Sequence, residues 1–132
     1  GPQMAYAGGY DHNFVLHKGE AMGRAAKLYD PKSGRVMETL TDQPGVQFYT
    51  ANWLPEGLPG KGGRPMFPRA GFCLETQHYP CSPNRPQFPS AILRPGEEYN
   101  ETTLYRFRTR RTHQSGAGHT VILREGLHHE TK

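Results

Sequence analysis

Residues 70–80 read AGFCLETQHYP. Taken as a strand, whose side chains alternate between two faces, Phe72, Leu74 and Thr76 point one way and Cys73, Glu75 and Gln77 the other. Glu75 is the residue to explain, because its neighbours Phe72, Cys73 and Leu74 make a carboxylate unexpected there. Two readings stand side by side. It lies on the wet face of a half-buried strand, or it is held in a partly desolvated site whose surroundings tune its proton affinity for acid–base work.

Outward from this stretch, composition sets the class. The chain has 132 residues, enough for one domain with a core. Only 34% of them are hydrophobic, and 16 Gly with 12 Pro argue against long helices and for an all-β body with many loops. The net charge of +4 does not mark a nucleic-acid surface, since residues 1–105 hold ten Lys/Arg against ten Asp/Glu and the excess sits in residues 106–132. No apolar run approaches membrane-spanning length, and the N-terminus lacks the layout of a secretory signal. These features predict a cytoplasmic protein with neither nucleic-acid nor membrane partners. Cys73 and Cys81 are too widely spaced for a redox CxxC and too few for a metal framework, and a disulfide between them is left open.

In chain order, residues 1–6 read as leader or expression residues. Asn13, Phe14, Val15 and Leu16 have strand character, with Asp11 and His12 at the strand's mouth, where a scaffold presents ligand-binding groups. The alternative for Asp11 is a turn cap. Residues 24–30 and 34–41 form a predicted hairpin, because the intervening Asp30, Pro31, Lys32, Ser33 and Gly34 have turn chemistry. Residues 43–52 form a third strand with Gln47 and Tyr49 on one face, a pair that suits a sugar-like ligand, with Tyr49 or Trp53 as a flat apolar wall. Half-exposed strands also carry such pairs without any ligand.

Residues 54–68 read as a surface loop. The glycines around Lys61 lack the spacing and the Ser/Thr of a phosphate cradle. Proline punctuation from 81 to 95 predicts a segment wandering over the surface, and residues 98–108 the last strand. Residues 109–132 form a basic tail carrying four of the seven His, with no carboxylate or Cys at ligand spacing, so no metal site is expected.

Five stretches in order, GGYDHNFVL at 8–16, DPKSGRVMETLT at 30–41, QPGVQFYTAN at 43–52, GFCLETQHYP at 71–80 and FPSAILRPGEEY at 88–99, resemble the C-terminal part of the aldose 1-epimerases, the galactose mutarotase family. The resemblance covers residues 7–108. It implies a β-supersandwich, present here only as its C-terminal portion, and an isomerase that interconverts α and β anomers of hexoses such as galactose and glucose without a cofactor. It makes Glu75 the catalytic base and Asp11 and Gln47 substrate ligands. Family members are more than twice as long, and the histidines that would protonate the ring oxygen belong to an N-terminal half this chain lacks. His12 and His78 do not occupy the matching motif. A non-catalytic or vestigial carbohydrate-binding fragment is therefore the alternative reading, and open strand edges would suit self-association or a second chain.

Overall fold

A computed structural model describes residues 2–110. The basic tail read at 109–132, including its histidines, lies from residue 111 onward outside the described residues. Eight strands occur: β1 Asp11–Val15, β2 Gly23–Tyr29, β3 Arg35–Thr41, β4 Gly45–Tyr49, β5 Leu58–Pro59, β6 Pro65–Met66, β7 Cys73–Gln77 and β8 Thr103–Thr109. They form three antiparallel sheets: sheet A in the order β1-β4-β7, sheet B in the order β2-β3-β8, and a two-stranded β5-β6 ladder.

The predicted hairpin is present as β2-β3, and its turn chemistry explains it. The Asp30 carboxylate accepts from the Lys32 and Ser33 amides at 3.0 and 3.3 Å and from the Ser33 hydroxyl at 2.6 Å, folding the turn onto itself. Gly34 closes it at φ +71°, where a Cβ would also lie 2.4 Å from the Arg110 carbonyl oxygen, so only glycine fits. Within β2, Arg24 and Ala26 pair with adjacent residues of β3, leaving Ala25 as a bulge. The bulge lets both small side chains enter the core, at 8% and 4% exposure.

That core lies between the two larger sheets. Leu16, Ala25, Ala26, Val46, Phe48 and Leu74 form it, with Tyr10, Phe14, Leu28 and Met37 packed against it. Phe14, Val46, Phe48 and Leu74 come from one face of sheet A, as period-two alternation requires. Side-chain ties hold the sheets together at β7 and β8: the Tyr105 hydroxyl donates to the Leu74 carbonyl oxygen at 2.9 Å, and the Thr76 and Thr103 hydroxyls share a hydrogen bond.

The chain crosses from sheet B to sheet A within residues 42–44. Thr41 is fully buried there, its hydroxyl donating to the Thr102 carbonyl oxygen at 3.1 Å. The Asp42 carboxylate accepts the Thr102 amide with both oxygens, at 2.9 and 3.0 Å, which pins the segment leading into β8.

Three features differ from the sequence reading. A six-residue helix, Pro2–Ala7, precedes β1 where no element was expected. The loop at 54–68 contains the β5-β6 ladder around a 3-10 turn at Lys61–Gly63, closed by the Gly60 amide donating to the Arg64 carbonyl oxygen at 2.9 Å. The last strand begins at Thr103 rather than 98, because residues 99–102 are held by the crossover instead of by a ladder. Cys73 and Cys81 are both free and exposed, so the disulfide left open does not form. No helix among the described residues is long and apolar enough to cross a membrane.

Candidate functional site

The face of sheet A turned away from the core is polar. Antiparallel register places Asn13, Gln47 and Glu75 in one row across the sheet, and Asp11, Tyr49 and Cys73 in the next. Directly opposite residues on one face sit roughly 5 Å apart at Cβ, so Gln47 has Glu75 on one side and Asn13 on the other. All three residues singled out from the sequence, Asp11, Gln47 and Glu75, thus share this face.

Two of them touch. Gln47 Nε2 donates to Asp11 Oδ1 at 2.7 Å, diagonally across the β1-β4 ladder. The other end of that amide, Gln47 Oε1, is buried and has no hydrogen-bond partner among the described residues. A buried carbonyl left without a donor carries an energetic penalty.

The face is shaped by residues that sequence reading passed over. Gln77 Nε2 donates to Asn13 Oδ1 at 3.1 Å, spanning from β7 to β1. It can do so because β4 has Gly45 between them: a Cβ there would come within 2.8 Å of Asn13 Oδ1 and 3.1 Å of the Tyr79 ring. The signal for Asn13 was the same alternation that put Asp11 on this face, but pairing with β4 and β7 is needed to see its neighbours.

Glu75 itself is exposed, which decides between its two readings for the wet face of a half-buried strand and against a desolvated carboxylate. The physical reason lies in the pleat: Phe72 and Leu74 flank it in sequence but point to the opposite face, where Leu74 is buried and the Phe72 ring meets Phe48 at 6.3 Å. Cys73 beside it has its thiol pushed up, first by burial, then by the negative charge of Glu75 and a hydrogen bond to it.

His12 and His78 lie off this face. His12 is a neighbour of Phe48 in the ladder, packs edge-on against Tyr10 at 6.0 Å, and accepts the Asp11 amide at Nδ1. His78 follows β7 and lines a separate cavity of about 700 Å³ with Ile92, Leu93, Glu97, Tyr99 and Glu101. Gln77 borders that cavity, but Asp11, Gln47 and Glu75 do not. Near its rim the side chains of Asp42 and Glu101 share a hydrogen bond. The Thr102 amide holds Asp42 below the usual carboxylate range, while burial and the bond to Asp42 push Glu101 up. No group of His, Cys, Asp and Glu among the described residues could hold a metal ion.

The profile of the aldose 1-epimerase family matches residues 1–106. The chain belongs to the aldose 1-epimerase family. Among its relatives are the galactose mutarotases of Rattus norvegicus, 49% identical over 105 residues, and of Homo sapiens, 48% identical over 105 residues. Each alignment covers 80% of this chain and 31% of the relative. The aldose 1-epimerase of Escherichia coli strain K12 is 39% identical over 102 residues, covering 75% of this chain and 29% of that protein. This aldose 1-epimerase family chain therefore spans less than a third of the length of the curated relatives it matches.

Proposed function

We propose that the chain is the C-terminal part of an aldose 1-epimerase, a portion of a β-supersandwich, and that the polar face of its sheet A holds a hexose such as galactose or glucose while α and β anomers interconvert. The observation that carries this reading is the 2.7 Å bond between Gln47 and Asp11, formed beside Glu75 on one accessible face.

Mutarotation requires a base at the anomeric hydroxyl and an acid at the ring oxygen. Glu75 takes the proton from the C1 hydroxyl as the bond between C1 and the ring oxygen breaks and that oxygen is protonated. The open-chain aldehyde turns about its bond to C2, and closure on the other face returns both protons. Asp11 and the Gln47 side chain hydrogen-bond sugar hydroxyls, which fixes the ring against Glu75. The ring-oxygen acid is assigned to the part of the family sequence that this chain does not span.

A second reading, a carbohydrate-binding fragment without catalysis, is favoured by one observation: His12 and His78 both lie off this face. Polarimetry on freshly dissolved α-galactose and α-glucose separates the two. Rates above buffer support the enzyme; rates equal to buffer with sugar binding intact leave the binding fragment.

A further inference from the structure

Sheet B ends on β8, and no strand among the described residues pairs with its outer side. The backbone bonds at the two ends of β8 show which way its polar groups point. The Asp42 amide donates to the Thr102 carbonyl oxygen at 3.4 Å and the Arg110 amide to the Gly34 carbonyl oxygen at 2.7 Å, so the even-numbered residues bond toward β3. In an antiparallel ladder the amide and carbonyl of one residue point the same way, and successive residues alternate. Tyr105 and Phe107, with Thr103 and Thr109, therefore direct theirs to the free edge. Every residue from Leu104 to Thr109 is exposed.

The two faces of this edge differ. Arg106 stands opposite Glu38 and Arg108 opposite Val36 in the ladder, and Arg110 follows with its guanidinium over Tyr29 at 5.8 Å. Alternate residues of a strand advance roughly 7 Å, so arginines run along one face at that spacing. Arg108 shares Glu38 with Arg24 and Lys27, and Arg106 has no ion pair among the described residues. The other face carries Tyr105 and Phe107, 48% and 75% exposed. An open edge with cations on one face and aromatic rings on the other is a template for one more strand. A second copy does not fit it: two β8 strands paired antiparallel over their full length put Arg106 opposite Arg106, and like charges directly opposite are destabilising. Residues 111–132 lack the complementary pattern too, since their acids, Glu125 and Glu130, are an odd number of residues apart and do not alternate with apolar ones.

We propose that the free edge of β8 receives an extended segment of a second polypeptide in which acidic side chains alternate with apolar ones. Paired antiparallel, its acids lie opposite Arg106 and Arg108 and its apolar residues opposite Tyr105 and Phe107, with its ladder hydrogen bonds made to the Tyr105 and Phe107 backbone. This surface belongs to sheet B and stands whether or not sheet A binds a sugar.

A fluorescein-labelled peptide of alternating Glu and Val, titrated into the full chain, tests this by anisotropy, with amide hydrogen exchange read in parallel. The expected result is binding about tenfold tighter than that of a peptide of the same composition whose Glu and Val stand in separate blocks. Protection should rise at the Tyr105 and Phe107 amides and not at Arg106 and Arg108, whose amides already face β3. Methylating the Val nitrogens keeps the charge but removes the donors aimed at β8, and should abolish binding. Arg106→Glu should weaken binding about tenfold and Arg106→Gln by less, both with an unchanged circular dichroism spectrum. Equal binding of the blocked or the N-methylated peptide would mean charge attraction without strand pairing and overturns the proposal. Equal binding of an alternating Lys and Val peptide, or no binding by any of them, overturns it as well. So does a sedimenting dimer of the chain whose Tyr105 and Phe107 amides are protected before peptide is added.

Discussion

Two carboxylates stand on the outward faces of the two larger sheets, Glu38 on the central strand of sheet B and Glu75 on an edge strand of sheet A, and their surroundings are opposite. On sheet B, Glu38 is met by Arg24 and Lys27 at 3.7 Å each and by Arg108 at 3.2 Å, and its side chain is only 14% exposed. On sheet A, no cation among the described residues pairs with Glu75; its row is made of the amides of Asn13 and Gln47. A carboxylate closed in by three cations has spent its acceptor capacity on the fold. One left open among amides, beside an unpartnered buried carbonyl, is free to take a proton or a hydroxyl from a ligand. Charge alone does not mark a site; what the fold leaves unsatisfied does.

The largest effect that would break this contrast comes from Glu75→Gln. The expectation is a loss of any mutarotase activity by about 10²- to 10⁴-fold, the scale of a general base, with unfolding free energy unchanged within ~0.5 kcal/mol. Unchanged polarimetric rates would remove Glu75 from the mechanism. Next in size, Gly45→Ala pushes a methyl group into Asn13 and Tyr79 and should cost about 1–3 kcal/mol in chemical denaturation while weakening galactose binding. Galactose affinity equal to that of the parent would show that the row across sheet A tolerates displacement.

Glu38→Gln sharpens the comparison from the other side. It leaves Arg24, Lys27 and Arg108 facing one another, but all three are about half exposed, so the loss should be about 1 kcal/mol of stability with galactose binding unaffected. A change in sugar affinity there would place the ligand on the wrong face. The smallest effect concerns pH. Asp42 titrates below its ordinary value of 3.8, so its contribution is present above that value and is lost as pH falls through the lower folded value. Glu101 is shifted the other way, so its contribution is complete at low pH and is lost as pH rises through its raised value. Asp42→Asn should flatten the acid limb of a stability-against-pH curve, and an unaltered limb would rule out the pair as its source.

Much of this was legible beforehand. The Asp30 to Gly34 turn carries its own hydrogen-bonding chemistry, so the β2-β3 hairpin could be read locally. Alternation within 43–52 and 70–80 put Gln47 and Glu75 on strand faces, as the ladders have them, whereas Asp11, read at a strand's mouth, lies within β1 itself. What alternation cannot reveal is which strands become neighbours: the order β1-β4-β7 depends on contacts far apart in sequence, and Asn13 and Gln77 joined the face only once that order was known. Of the two readings of Glu75, the wet face held and the desolvated site did not, since proximity in sequence on a strand means opposite faces. The Pro2–Ala7 helix and the Leu58–Pro59 ladder are too short for periodicity to register.

The central claim is that the sheet A face, and not the Glu38 face, receives the sugar. Backbone amide shifts followed by NMR during a galactose titration test it most directly. The account predicts saturating shifts at Asp11, Asn13, Gln47 and Glu75 with none at Arg24, Lys27, Glu38 and Arg108; shifts confined to the second group, or spread over neither, would contradict it.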